Sequence, residues 1–283
     1  MTYADWCAQP RADGHHRLDA LPLPTLHPLG HGQFAVDITV ADGRIMSCAF
    51  DFAGSHRGDE KLLEVRDFKQ GLALANRHSW LSAAFAETLY ARIIETALGL
   101  VISPRAEGLR NLVLALNAEA TTVYWQAVEA ALTGGTPDLS ERERILAVLE
   151  RITGARIHPT YVRVGGVAAD VDAADLAAVY ALGKPVVTAC AEALETLTGE
   201  IDVMLPKVLR LPNGEYFDEI ATPHGISAMW VFGRGDKVPH RVHLRPGALR
   251  ALATLERRAV GMSVPDFLWD LATTRLVLGE VAR

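Results

Sequence analysis

Gly154-Ala155-Arg156-Ile157-His158-Pro159-Thr160-Tyr161-Val162-Arg163-Val164-Gly165-Gly166-Val167 separates an apolar helical pattern from an Ala/Asp-rich one. The run holds two arginines, a histidine, a tyrosine, a proline and three glycines. Arg156 and Arg163 each carry a planar fork of donors suited to an anion or to carbonyl groups. Gly165-Gly166 lets the backbone take positive φ or lie close against another surface. Two readings are open on these residues alone. The run is an anion-binding loop, or it is an ordered inter-helix loop pinned by its arginines.

Upstream, helical patterns are expected over residues 59–77, 79–99, 104–133 and 139–153. Ser79 is placed to cap the second, which stops at Gly99. Pro104 suits the first turn of the third, which stops before Gly134-Gly135. Ser140, Glu141 and Glu143 open the fourth, and Gly154 closes it. Downstream, residues 170–183 and 185–200 read as helices, the second opening at Pro185. Residues 203–250 turn to strand-like alternation. Ala228–Phe232, a turn at Gly233-Arg234-Gly235-Asp236 and Arg241–Leu244 form an expected hairpin. Residues 246–261 and 264–279 are again helical. Before all of these, residues 1–30 read as an extended arm. Residues 31–54 read as a hairpin that turns at Asp42-Gly43.

The expected fold is therefore α+β, a central helical bundle flanked by small antiparallel sheets. After the arm, residues 31–283 form one domain: a hairpin (31–54), a helical bundle (59–200), a small β region (203–250) and C-terminal helices (251–283). No internal repeat is visible.

Composition narrows the function. With 49% hydrophobic and 22% charged residues the chain is a folded globular one. A net charge of -6, with no lysine/arginine run, argues against nucleic acid as a partner. No apolar stretch approaches the roughly 20 residues of a spanning helix. The N-terminus has no secretory pattern, so a cytoplasmic location is expected. Cys7, Cys48 and Cys190 are far apart and form no CxxC pair. They read as buried reduced thiols, not as a zinc or iron–sulfur site. His15-His16, with His27 and His31, lacks a spaced carboxylate, so no metal site is expected. Phosphate-loop, dinucleotide, zinc-protease and serine-hydrolase motifs are absent from the sequence.

Three further pieces carry information. His31-Gly32 starts the first strand; Gly allows close approach, and an imidazole can donate and titrate. His56-Arg57-Gly58-Asp59-Glu60-Lys61 sits at the entrance to the first helix. Its Arg57 is a candidate for an anion or a cofactor-bearing partner, or else makes a helix-start salt bridge. Leu278-Gly279-Glu280-Val281-Ala282-Arg283 ends abruptly, as an ordered tail would.

These pieces occur together, in this order, in one family. The chain resembles the D-type (49-kDa-like) subunit of NADH-quinone oxidoreductase, respiratory complex I, a relative of the nickel–iron hydrogenase large subunit. The matching stretches are His31-Gly32; His56-Arg57-Gly58 with Glu60-Lys61; Pro104 with Arg105-Ala106; and Glu141-Arg142-Glu143 with Gly154–Val167. Pro239–Arg241 and the closing Gly279-Glu280-Val281 with Arg283 complete the set. The resemblance spans most of residues 27–283. It is weak over 168–222, where the chain lacks a central stretch, so this is a shortened, divergent member.

The resemblance implies a hydrogenase large-subunit-like fold that forms one wall of a quinone headgroup pocket. The quinone is the substrate, and this chain binds no cofactor alone. A B-type partner brings the iron–sulfur cluster. C-type and membrane subunits complete a complex peripheral to the inner face of the cell membrane. The resemblance places the catalytic, quinone-binding histidine at His31 and the second quinone contact at Trp80, where the family has Tyr. It sets Arg57 near the partner's cluster. The family's relay Asp falls near Leu132, and Glu129 is the nearby carboxylate. Arg156, His158, Tyr161, Arg163, Gly165 and Gly166 become a structural loop. Residues 77–81 and 274–279 lack the thiolates that a nickel–iron site needs. Two functions stay open: a working oxidoreductase subunit, inactive alone, or a degenerate paralogue with a structural, assembly or regulatory role. A ligand-binding protein reusing the pocket is a third.

Overall fold

The computed structural model describes residues 3–282, so Arg283 lies outside the described residues. The elements are, in order, α1 (Tyr3–Cys7), β1 (Gly14–Leu18), β2 (Ala35–Ala41), β3 (Arg44–Asp51), α2 (Asp59–Glu64), α3 (Phe68–His78), α4 (Ala83–Leu98), α5 (Pro104–Leu132), α6 (Ser140–Thr153), β4 (Val162–Arg163), β5 (Gly166–Val167), α7 (Ala173–Tyr180), α8 (Pro185–Leu194), β6 (Gly214–Thr222), β7 (Gly225–Gly233), β8 (Arg241–Arg245), α9 (Gly247–Ala259), α10 (Val264–Thr273) and α11 (Leu278–Val281). Short 3-10 turns occupy Pro28–His31, Ala53–Ser55 and Trp80–Ser82. The sheets are antiparallel: β1-β2-β3, β4-β5 and β6-β7-β8. The α+β class read from the sequence is the observed one.

Two compact units emerge: Met1–Arg57 with Tyr124–Asp138 and Pro246–Arg283, and Gly58–Val123 with Leu139–Arg245. In the first, the expected extended arm is replaced by α1 and β1. Tyr3 and Cys7 are buried, and the Tyr3 hydroxyl donates to the Leu268 carbonyl at 2.7 Å. β1 pairs with β2, and Arg17 bridges Asp37 and Asp51 at 2.8 and 2.6 Å. β1 is an edge strand held by main-chain pairing and ion pairs, so it lacks the apolar alternation that signals a strand. The tail is ordered for a local reason. Glu280 is fully buried, and its carboxylate accepts the Ala248 N–H at 3.2 Å, in the first turn of α9.

The second unit has two apolar cores. Leu109, Leu112, Leu116, Ile145, Leu149, Tyr161 and Val179 join α5–α7 to the 154–167 loop. Phe68, Ile93, Ile94, Met229, Val231 and Val242 join α3 and α4 to the inner face of β6-β7-β8. Each such side chain contributes about 1.5–3 kcal/mol by leaving water. The helix expected over 59–77 is broken, because Asp67 accepts from Lys69 N and Gln70 N at 3.0 and 2.9 Å and starts α3 anew. Ser79 makes no side-chain cap. The Ala84 N–H is instead accepted by Asn117 Oδ1 of α5 at 3.1 Å.

Buried charge organises this unit. Arg110, fully buried on α5, holds Glu95 of α4 through two bonds of 2.6 and 3.0 Å. Arg110 also donates to the carbonyls of Arg163 and Gly166, at 2.8 and 3.0 Å, while Glu95 accepts the Gly165 N–H at 2.7 Å. Elsewhere Glu64 and Glu60 of α2 accept the Val242 and Leu244 N–H groups of edge strand β8, at 3.1 and 2.8 Å. Burial works against the Glu64 charge. The Lys61 hydrogen bond, the Val242 N–H and Arg241 outweigh it, and the carboxyl sits below its ordinary value.

Truncating Arg110→Ala strands Glu95 without its counter-ion. Denaturant unfolding should register a loss of about 3–5 kcal/mol; a loss under about 1 kcal/mol would show the pair to be dispensable. A carboxyl lowered in the folded state adds stability above its unfolded pKa, and that stability is lost as pH falls through the folded one. Glu64→Gln should therefore flatten the acid limb of stability against pH. An unchanged limb contradicts the assignment.

Candidate functional site

In the first unit the lead residue is His31, exposed at the end of the Pro28–His31 turn. The turn is built on His27, which is fully buried and accepts the Leu29 N–H at Nδ1 (3.2 Å). That fixes Nε2 as the donor to the Ala272 carbonyl, 2.9 Å away. Burial pulls the His27 pKa down to about 4, against the Ala272 bond, so the ring is neutral and structural. Gly32 follows His31. A Cβ there would meet Leu278 Cδ2 at 2.4 Å and Ser55 Oγ at 2.8 Å, so only glycine fits without displacement. Ser55 Oγ accepts the Gln33 N–H at 2.8 Å and donates to the Gln33 carbonyl at 2.6 Å. The His31-Gly32 loop is thus stapled to the Ala53–Ser55 turn and to α11. A cleft of about 560 Å³ opens beside it, lined by Arg17, Gly32, Gln33, Phe34 and Asp51. Arg57 is exposed just past the same turn. Glu129 is exposed too, 3.4 Å from Arg275, while Leu132 is buried.

In the second unit Trp80 is half-buried on the Trp80–Ser82 turn. The Leu81 carbonyl accepts from Asn117 Nδ2 at 2.8 Å and from Thr121 Oγ1 at 2.6 Å. Ser82 Oγ lies 3.1 Å from His224 Nδ1, on the turn between β6 and β7. Trp80 lines a narrow slot with Arg142, Leu146, Arg156, Ile157 and Pro159. The structure therefore brings Trp80 to the first half of the 154–167 loop.

That loop is committed internally. Arg156 binds Glu143 and Glu150 of α6 at 2.5 and 2.8 Å, and these carboxylates hold its charge more firmly. The Tyr161 hydroxyl donates to the Ala169 carbonyl at 2.6 Å. Glu87 of α4 accepts the N–H groups of Thr160, Tyr161 and Val162 at 2.6, 3.1 and 3.2 Å, and Asn76 Nδ2 at 2.5 Å. Burial raises the Glu87 carboxyl against the pull of those donors. A Cβ on Gly166 would meet the Ile201 carbonyl oxygen at 2.0 Å, so this glycine permits the backbone approach to residues 201–202. The His158 ring is partly buried and the Arg163 side chain is exposed.

Sequence reading missed Glu87, Glu95, Arg110, Asn117 and Thr121. One signal was available: Glu87 and Glu95 lie eight residues apart in a largely apolar helix, within one broad face of it. Among the described residues no group of three or more His, Cys, Asp or Glu could hold a metal ion. The three cysteines are free, Cys7 buried and Cys48 and Cys190 half-buried.

The fold is shared with a chain of the membrane-bound sulfane sulfur reductase, an archaeal respiratory membrane complex. That likeness has a TM-score of 0.78 at 18% identity and covers 97% of this chain and 100% of the other. Residues 130–201 and 184–283 match the family described as respiratory-chain NADH dehydrogenase, 49 Kd subunit, and the chain belongs to that family. The second D-type subunit of NADH-quinone oxidoreductase from Salinispora arenicola is 26% identical over 351 residues, covering 90% of this chain and 91% of the relative. The D-type subunit from Desulforamulus reducens is 25% identical over 356 residues, covering 92% and 97%. The D-type subunit from Anaplasma marginale is 34% identical over 149 residues, covering 51% and 37%. The two long alignments exceed the 283 residues of this chain, so those relatives carry segments it lacks.

Gly32→Ala should cost about 1–3 kcal/mol by forcing Leu278 and Ser55 aside. Thermal unfolding checks this; equal midpoints for the variant and the parent would show that the loop is not held as described.

Proposed function

We propose that this chain is the quinone-side subunit of an NADH-quinone oxidoreductase-like complex, with His31 as the catalytic residue of the pocket. The observation that carries the reading is the His31-Gly32 loop, an exposed imidazole on a glycine-anchored turn beside a large cleft, in a chain of the 49-kDa family. An imidazole N–H donates to one quinone carbonyl and can pass on a proton. Trp80 supplies an indole N–H at the second carbonyl; an indole donates but cannot deliver a proton. Electrons come from the iron–sulfur cluster of a B-type partner. Arg57 places a positive charge beside that partner, which favours the reduced cluster. C-type and membrane subunits complete the assembly, which holds this chain at the inner face of the membrane. In keeping with a peripheral role, no described helix is long and apolar enough to cross a membrane.

Two observations favour a second reading, a non-catalytic paralogue that keeps the scaffold. Glu129, the carboxylate nearest the relay position, lies at the surface with Arg275, and position 80 has no hydroxyl.

The test is quinone reduction by the complex assembled with its iron–sulfur and membrane partners. His31→Ala should lower kcat/KM by roughly 10²–10⁴ without preventing assembly, and Trp80→Tyr should raise the rate. An assembled complex whose turnover ignores His31→Ala sinks the assignment. One that never turns over, even with Trp80→Tyr, establishes the paralogue.

A further inference from the structure

The third sheet leaves one edge open. The phase of its ladder follows from two independent observations. On β8 the N–H groups of Val242 and Leu244 point away from the sheet, to Glu64 and Glu60. Arg241, His243 and Arg245 therefore bond to Phe232, Trp230 and Ala228 of β7, their register partners. That leaves the odd-numbered residues of β7 for β6, where they meet Tyr216, Asp218, Ile220 and Thr222. The two-residue turn Pro223-His224 closes the same phase, with Thr222 opposite Gly225. Glu215, Phe217, Glu219 and Ala221 consequently aim their N–H and C=O groups outward. The Glu219 N–H is taken by its neighbour, Asp218 Oδ1, at 2.8 Å. Among the described residues no strand pairs with this edge, and none of the nine residues of β6 is buried. β8, by contrast, is covered by α2.

The side chains beside the open edge are specific. Phe217 is 47% exposed and lies against Trp230, ring centres 4.6 Å apart; Trp230 meets His243 at 5.4 Å and carries the Arg245 guanidinium 5.2 Å from its centre. An aromatic row thus crosses the outer face at Phe217. It is flanked on β6 by Glu215 and Glu219. Glu219 has only a 3.7 Å contact with Arg245, and Glu215 has no ion pair among the described residues.

We propose that β6 is a docking edge that accepts an extended, basic segment of another polypeptide as a fourth strand, with Lys or Arg opposite Glu215 and Glu219 and an apolar residue opposite Phe217. Main-chain bonds to the outward groups supply affinity, and the acid–aromatic–acid row supplies specificity. The charge pattern selects this occupant over a second copy of the chain. Antiparallel self-pairing centred on Phe217 sets Glu215 against Glu219 twice. Centred on Asp218 or on Glu219 it sets that carboxylate against itself. Like charges directly opposite destabilise a strand pair.

Hydrogen exchange of the full chain, read amide by amide, tests this with the N-acetylated, C-amidated peptide Thr-Lys-Thr-Phe-Thr-Lys-Thr as probe, whose Lys residues lie two positions either side of Phe and so share its face. In the free chain the Glu215, Phe217 and Ala221 amides should exchange faster than those of Tyr216, Asp218 and Ile220. The peptide should slow the first set about tenfold or more and leave the second unchanged. A peptide with Glu in place of Lys, or one N-methylated at alternate residues, should not. Ala221→Pro removes one outward donor at a position where an edge strand tolerates proline, and should weaken binding about threefold or more. Glu215→Lys, which leaves the backbone untouched, should weaken the lysine peptide as well. Binding without slowing of the outward amides, or binding indifferent to both variants, overturns the proposal. So does slowing of those amides as the chain alone is concentrated, which would make the occupant a second copy. Neither result bears on His31 or on quinone.

Discussion

The buried carboxylates of α4 are the interaction on which the second unit depends. An ionised side chain taken out of water carries a penalty of several kcal/mol unless donors surround it. Glu95 meets that requirement with Arg110 and the Gly165 N–H, and Glu87 meets it with Asn76 and three successive main-chain N–H groups of the loop. The loop has no regular structure of its own beyond the β4-β5 pair, yet four of its main-chain N–H groups are fixed by buried carboxylates. Its own order then fixes what leans on it. Arg156 ties its start to α6, Gly166 brings its end against residues 201–202, and Ile157 and Pro159 form the wall opposite Trp80.

The same device recurs at one sheet edge and at two helix starts. Glu60 and Glu64 finish the edge of β8, Glu280 finishes the start of α9, and Asn117 finishes the start of α4. In each case a side chain distant in sequence does what a local cap or another strand would do elsewhere. β6 stands apart because its outward groups receive no such treatment. The contrast between two edges of one sheet separates a surface built to be closed by its own chain from one open to another.

The two residues proposed for quinone chemistry rest on different supports. His31 depends on a staple of Ser55, Leu278 and the neutral ring of His27, all of it packing and hydrogen bonding with no catalytic chemistry. Trp80 depends on α5, through Asn117 and Thr121. An indole on so well-held a turn offers one fixed donor and no hydroxyl proton. Under the proposed function the chemical question is therefore narrow: whether His31 and solvent can deliver what a tyrosine would.

Much of the fold was legible because local pattern and local punctuation agree. Gly99 and Gly154 end their helices in the left-handed conformation, Pro185 opens α8, and Asp42-Gly43 turns β2 into β3. The His31-Gly32 pair and the 154–167 run were visible as unusual chemistry in short windows. What the sequence could not reveal shares one cause: partners far apart along the chain. β1 shows no alternation, because ion pairs and a neighbouring strand hold it. Ser79 looks like a cap and is not one, because Asn117 supplies the acceptor. The arginines of the loop suggested an anion site until Glu143 and Glu150 appeared beside Arg156. By itself the sequence determined the kinds of elements, their order and the family, since those follow from spacing, turn residues and recognisable runs. Only the tertiary structure decided which charges are buried against which, and so which residues hold the loop and which edge is left open, because burial and pairing are properties of positions in space.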